Sequence, residues 1–180
     1  MNRKKNNHYL KTDAKIKKAL LEILGEQKNP TVSEICKRCQ INRTTFYLHF
    51  VDIIALMEDV QEDIFASFRK TTFESNEEVY LMSYISYKLF AQHVKEYKDF
   101  YRYYFKINTS FPLKDGYEHM WEYILKPYYL EKGIEDEEIM KLRFVCFQAG
   151  FTNCWGKWVE NDCDLSCDEV AKILTECITL

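Results

Sequence analysis

The sequence predicts an all-α protein in which a small N-terminal three-helix domain of the helix-turn-helix type precedes a larger α-helical domain. Apolar residues recur at steps of three and four along most of the chain. Only five Gly and three Pro interrupt the 180 residues, which favours long helices over tight turns. Residues 1–50 carry 11 Lys and Arg against 4 Asp and Glu, whereas residues 51–180 carry 14 against 24. A basic head on an acidic body indicates a polyanionic partner for the head; the alternative is chance segregation onto solvated faces.

The first helix is predicted over residues 12–28, with Thr12 or Asp13 as its cap and its end near Gly25. Apolar residues repeat on one face, and lysines occupy the other. Residues 1–10 are expected to form a polar tail that is disordered on its own. Its Lys4 and Lys5 either reach a nucleic-acid backbone, as basic arms do, or merely keep the chain in solution.

Two short helices joined by a tight turn are predicted between residues 31 and 50. Thr31 is a suitable cap for the first helix, with Glu34 completing a capping box, and Asn42 is a suitable cap for the second. Phe46 and Phe50 lie four residues apart and are expected to face inward. The other side of the second helix offers donors and small side chains: Arg43, Thr44, Thr45, Tyr47 and His49.

These residues resemble the DNA-binding half of the TetR/AcrR family of bacterial transcriptional regulators. The matching positions, which span about the first third of the chain, are Thr31, Ile35-Cys36, Cys39, Ile41-Asn42 and the ending Tyr47-Leu48-His49-Phe50. Two positions depart from the family pattern. Gln40 stands where the family has Gly at the turn, and no Lys follows Phe50.

The resemblance implies a homodimer that presents two recognition helices to successive major grooves of an operator in double-stranded DNA. Arg43, Thr44 and Thr45 are then expected near base edges. Tyr47, His49 and Thr31 are expected at phosphates, together with Lys4 and Lys5. The implied function is transcriptional regulation, as a repressor. The alternative is a protein-interaction module or coactivator of the same fold, controlled by a partner protein rather than by a ligand.

A long helix from Asp52 to about Lys70 is expected to link the head to the body. We assign residues 1–53 to the DNA-binding domain and residues 54–180 to the regulatory and dimerisation domain. The polar stretch 71–76, after the long helix, lacks periodicity and is also an expected domain boundary. Further helices are predicted over 77–106, with a break near 95–98, then over 117–130 and 135–160, and finally after Ser166. Pro127 is expected to kink or shorten the second of these.

The helix over 135–160 carries an aromatic stripe and, beside it, a stripe of smaller residues that would let another helix approach closely. TetR-like proteins dimerise through their last two helices. The expected dimerisation residues are Cys146, Gly150, Asn153, Cys154, Val170 and Leu174. The alternative is that both stripes are covered within one chain.

Aromatic clustering, together with the resemblance, suggests where a small-molecule effector would bind in the body. The candidate lining residues are Tyr101, Phe105, Trp121, Phe147 and Phe151. An equally good interpretation is that these rings simply fill the core.

The sequence suggests no enzyme, cofactor or metal. It contains no nucleophile elbow or His-Glu-x-x-His run. Cys36-x-x-Cys39 has no second ligand pair nearby, and packing is the better interpretation. Cys163 and Cys167, expected on a surface loop, suggest a redox switch as a third hypothesis. Neither a signal peptide nor an apolar run long enough to cross a membrane is visible, so a cytoplasmic protein with no membrane partner is expected.

Overall fold

The computed structural model describes residues 3–72, 83–107 and 121–178, apart from the side chains at 3–6, 67, 69–72, 123, 124 and 178. Every regular element within these ranges is helical, and none of them contains a strand, which confirms the predicted all-α class. The chain divides into two compact units, Met1–Ser75 and Asn76–Leu180.

Four helices build the first unit: α1 (Arg3–Gly25), α2 (Val32–Cys39), α3 (Arg43–His49) and α4 (Ile53–Thr72). Their apolar faces are buried at the spacing that the sequence predicted. The most deeply buried side chains are Ile16, Leu20, Ile23, Ile35, Phe46, Leu56 and Met57. Burial of several such side chains stabilises a small helical unit by roughly 1.5–3 kcal/mol each.

Helix α1 begins at Arg3, so the prediction of a disordered tail over residues 1–10 was wrong, as was the expected cap at Thr12 or Asp13. Both residues lie inside the helix, where the Thr12 hydroxyl donates to the carbonyl of His8. Tyr9 stacks on the ring of His49 with centroids 4.0 Å apart. This tertiary contact gives the polar start of the helix a packing partner that local sequence does not reveal.

Helix α4 belongs to the first unit. Asp52 caps it by accepting from the backbone N–H of Ala55 at 2.8 Å. Lys17 of α1 bonds the carboxylates of Asp59 and Asp63 on α4 at 2.5 and 2.6 Å. The assigned border at residues 53 and 54 therefore falls in the first turn of α4, whereas the border between the units falls in the polar stretch 71–76.

The second unit contains α5 (Tyr84–Glu96), α6 (Lys98–Ile107), a π-helical turn (Trp121–Leu125) that runs into α7 (Lys126–Glu131), α8 (Glu137–Glu160) and α9 (Cys167–Ile178). The break between α5 and α6 falls at Tyr97, inside the predicted interval. Pro127 sits in the first turn of α7, directly after the π turn, where its missing N–H is tolerated. Residues 77–82 and 117–120, which were predicted to be helical, lie outside the described residues.

Polar contacts fix the long helices of the second unit. Ser166 and Glu169 form a capping box at the start of α9, with bonds of 2.8 and 3.2 Å. Asp168 accepts from the hydroxyl of Tyr84 and pairs with Lys88, which holds α9 against α5. Helix α9 therefore packs against α5, and it also contacts α8.

Candidate nucleic-acid interface and effector region

The turn between α2 and α3 is set by two caps and one left-handed residue. Thr31 accepts from the N–H of Glu34 at 3.2 Å, and Asn42 accepts from the N–H of Thr45 at 2.7 Å, so both predicted N-caps are confirmed. Gln40 adopts φ 55° and ψ 44°, the conformation that favours Gly at this position. The turn is therefore made despite the missing Gly, with Gln40 carrying the conformational cost.

Cys36 and Cys39 pack between the helices, as the sequence indicated. Both side chains are buried, and the Cys39 thiol donates to the carbonyl of Lys15 at 3.3 Å. Burial raises the pKa of both thiols, which disfavours the thiolate that a metal needs. Among the described residues no three His, Cys, Asp or Glu side chains are grouped closely enough to hold a metal ion.

Helix α3 has four rows of side chains, because residues four apart lie on one face. Phe46 and Phe50 form a buried row, as predicted. Two other rows point outward: Arg43 with Tyr47, and Thr44 with Leu48. The sequence had suggested Arg43, Thr44 and Tyr47 for this face, but it did not single out Leu48, whose side chain is 72% exposed.

The guanidinium of Arg43 is held in place on this outer face. It donates to the Ser33 hydroxyl at 3.0 Å and to the Tyr47 hydroxyl at 3.2 Å. Its carbon lies 5.9 Å from the centre of the Tyr47 ring, within reach of a cation–π contact. Arg43 is thus an exposed cation, oriented by its neighbours, at the first position of α3.

The two threonines of α3 differ in their surroundings. Thr45 is half-buried, and its hydroxyl donates to Asn42 at 3.0 Å as part of the cap. Thr44 is exposed. Thr31 is also exposed, with its hydroxyl oxygen accepting from Glu34. Both Thr31 and Thr44 therefore present surface groups, whereas Thr45 serves chiefly the helix start.

His49 does not occupy the position expected of a phosphate contact. Its side chain is only 4% exposed, its Nδ1 lies 3.2 Å from Oδ1 of Asp13, and Tyr9 stacks on its ring. The ring joins α3 to α1 instead of facing solvent. His49 is therefore not placed for a phosphate contact, and its ring instead positions α3 against α1.

The cations of the first unit are partly neutralised. Lys17 is surrounded by three carboxylates, which raise its pKa against the opposing effect of burial. Arg38 holds Glu26 through two bonds of 2.7 and 2.8 Å and, with Lys28, lowers the pKa of that carboxyl to about 2. Ion pairs are absent, within the described ranges, at Lys11, Lys15 and Lys37. The side chains of Lys4 and Lys5 lie outside the described residues.

In the second unit, four of the five predicted effector-binding residues belong to one aromatic cluster. Tyr101 stacks on Phe105 with ring centroids 5.6 Å apart, and Phe147 stacks on Phe151 with ring centroids 5.3 Å apart. The ring of Phe90 contacts both Tyr101 and Phe151. The fifth residue, Trp121, contacts Phe144 at 5.3 Å. Tyr101 and Phe147 are buried, so these rings fill much of the core of this unit.

Polar atoms are buried within and beside this cluster. Nε2 of His93 lies 3.0 Å from the Tyr101 hydroxyl, and burial lowers the pKa of His93 to about 4. Trp155 Nε1 and Gln148 Nε2 are buried without a hydrogen-bond partner among the described residues, which is uncommon in a protein core. Such groups suit a site that binds a polar ligand, although the sequence had pointed only to the aromatic rings.

An apolar groove of about 520 Å³ lies between α8 and α9. It is lined by Leu142, Arg143, Cys146, Phe147, Gly150, Cys154, Ile173, Leu174 and Cys177. Cys146 and Gly150 are exposed along it and Cys154 is half-buried, and Asn153 is exposed on the same helix. The smaller-residue stripe of α8 is therefore open to solvent, while the aromatic stripe beside it is largely covered.

Val170 and Leu174 do not fit the expected dimer surface. Both are fully buried, because the face of α9 that carries them packs inside the second unit. Leu174 reaches only the floor of the groove, and Ile173 and Cys177 form its exposed edge on α9. The spacing of apolar residues predicted the apolar face of α9 correctly, but that face packs against other helices of the same chain.

Cys163 lies in the exposed turn between α8 and α9, as expected, but its side chain is buried, and Cys167 is half-buried at the start of α9. Burial also raises the pKa of the Cys163 thiol, which opposes the reactivity that a redox switch needs.

No helix in the described part of the chain is long and apolar enough to cross a membrane. Compared with known proteins, the chain matches no protein-family model and no curated protein sequence.

Proposed function

We propose that this chain is a TetR-type transcriptional regulator, acting as a repressor, whose first unit binds duplex DNA through α3. The observation that carries the proposal is the orientation of that helix. Phe46 and Phe50 anchor one side in the core, while Arg43, Thr44 and Tyr47 stand exposed on the other. A short anchored helix that presents donors on its outer face is what entry into a major groove requires.

A second copy of the chain would cover the groove between α8 and α9. The groove is apolar, and Leu142, Val145 and Ile173 remain exposed in or near it. A homodimer would bury this surface and place two copies of α3 for half-sites about 34–36 Å apart. A small-molecule effector in the aromatic cluster would favour a different spacing and so release the DNA.

Binding of the full-length chain to labelled duplex DNA tests the DNA-binding function. Fluorescence anisotropy would be measured with a duplex selected from a random library and with an unrelated duplex, each at several salt concentrations. We expect the logarithm of affinity to fall with the logarithm of salt with a slope of about −3 or steeper, the value for three or more phosphate contacts. A chain that enriches no sequence and shows no salt-dependent binding would rule out the proposal.

The alternative is a protein-interaction module or coactivator of the same fold. Exposed Leu48, Val51 and Ile54 on the first unit favour it, because apolar side chains can dock on another protein. Such binding would depend weakly on salt, since no phosphate counterions are released. Capture of a protein ligand at high salt, together with the absence of duplex binding, would select this alternative.

A further inference from the structure

Leu48 is the most exposed leucine in the described part of the chain, with 72% of its surface accessible. It lies on α3 four residues after Thr44, so the two side chains share one outward row. Both carry methyl groups, and both stand beside the row of Arg43 and Tyr47. The outer face of α3 is therefore divided into a mainly apolar row, in which Thr44 also carries a hydroxyl, and a hydrogen-bonding row.

The position of this apolar row is fixed by its surroundings. Phe46 is completely buried, the Asn42 cap holds the first turn of α3, and His49 ties its last turn to Asp13. On the adjacent row, Arg43 is held by Ser33 and Tyr47. Because α3 is held so firmly, its exposed side chains keep a fixed position relative to a bound surface. Recognition of a base sequence requires such fixed positions.

A leucine in the major groove has one favourable partner among the base edges. Guanine, adenine and cytosine present hydrogen-bonding groups there, whereas thymine adds a C5 methyl group. Apolar contact with that methyl group buries hydrocarbon on both sides. We propose, on the basis of the DNA-binding function proposed above, that Leu48, with the methyl group of Thr44 beside it, reads the thymine methyl at a fixed position of each half-site.

The surroundings of Leu48 favour DNA over an apolar protein partner. The neighbouring row carries a guanidinium and a phenol, and the Thr31, Ser33 and Thr44 hydroxyl groups are exposed on the same helix pair. An apolar docking partner would have to desolvate these groups without pairing them, which is costly. Base edges and phosphates can pair with all of them.

The test uses thymine-to-uracil substitution, which removes only the C5 methyl group. Duplexes enriched from a random library by the full-length chain would be resynthesised with single dT-to-dU changes. Binding would be measured for the unaltered chain, for Leu48→Ala and for the control Leu130→Ala, an exposed leucine of the second unit. We expect one position per half-site at which dU weakens binding of the unaltered chain and the control by about three- to five-fold. Leu48→Ala should bind the dT and dU duplexes equally.

Other results would overturn the inference in distinguishable ways. If the unaltered chain binds a selected sequence but tolerates dU at every position, no methyl group is read and only the inference fails. If Leu48→Ala keeps the full preference for dT, another residue reads the methyl group, and again only the inference fails. If no duplex is enriched while Leu48→Ala abolishes binding to a protein partner, the DNA-binding function fails and the inference fails with it.

Discussion

Nδ1 of His49 lies 3.2 Å from Oδ1 of Asp13 and joins helices α3 and α1 across 36 positions of sequence. Together with the Tyr9 ring stacked on its other side, this contact fixes the end of the helix proposed to enter DNA. A residue that a family resemblance places at a phosphate thus holds α3 against α1. Loss of the His49 side chain should therefore first lower the stability of the folded chain.

We expect His49→Ala to lower the free energy of unfolding of the full chain by about 2 kcal/mol, from the loss of one partly buried hydrogen bond and one aromatic stack. Urea denaturation followed by circular dichroism would measure it. Thr44→Ala, on the exposed row of the same helix, is the control and should stay within about 0.5 kcal/mol. Equal effects of the two changes would contradict the positioning role.

Arg43→Ala should weaken binding to a selected duplex by ten-fold or more, about 1–3 kcal/mol, and binding to an unrelated duplex by less. The control is Arg43→Lys, which keeps the charge but loses the planar fork that pairs with a base edge. It should retain nonspecific affinity without recovering specific affinity. If both variants bind the selected duplex as tightly as the unaltered chain, Arg43 is not a reading residue.

Gln40→Gly should stabilise the first unit by about 0.5–1 kcal/mol, because Gly adopts the left-handed conformation without the steric cost that Gln40 carries at φ 55°. The same change at Gln92, an exposed position inside α5, should destabilise the chain by about 1 kcal/mol. Thermal or urea unfolding of both variants would compare the two sites. A loss of stability at residue 40 as large as that at residue 92 would refute the argument.

His93 should make stability depend on pH. Burial lowers its pKa from 6.5 to about 4, so between these values the unfolded chain binds a proton that the folded chain does not. The contribution of neutral His93 to the free energy of unfolding is therefore fully present above about pH 6.5. It is lost as the pH drops towards 4, and the loss between pH 7 and pH 5 is about 2 kcal/mol. Urea unfolding at several pH values would measure how steeply the free energy of unfolding changes with pH. The unaltered chain would be compared with His93→Gln, whose side chain can still form a hydrogen bond with Tyr101. Identical slopes would show that His93 is not buried as described.

Gly150→Asp should convert a dimer into a monomer, because it places a charge in the apolar groove between α8 and α9. Sedimentation equilibrium at several concentrations would report the change. Leu130→Asp alters an exposed leucine of the same unit that does not line the groove, and it should leave the dimer intact. If the unaltered chain is already a monomer, the groove is not a dimer interface and the prediction fails.

The fold was predictable wherever a short stretch of sequence decides it. Thr31 and Asn42 cap their helices as expected, because a cap needs only a side-chain oxygen two or three residues before a free N–H. Asp52 and Ser166 cap α4 and α9 in the same way. The rows of α3 also followed from spacing alone. The exposure of Leu48 was implicit in that spacing, since it lies outside the row of Phe46 and Phe50.

Residue order alone thus determined the helices, their caps and the face of α3 that turns inward, because these depend on neighbours a few positions away. Tertiary structure decided which surfaces remain open. His49 is covered by residues from the start of α1, and Val170 and Leu174 are buried as α9 packs inside the second unit. Such burial depends on contacts between segments far apart in sequence, and periodicity shows that a face is apolar without showing what covers it.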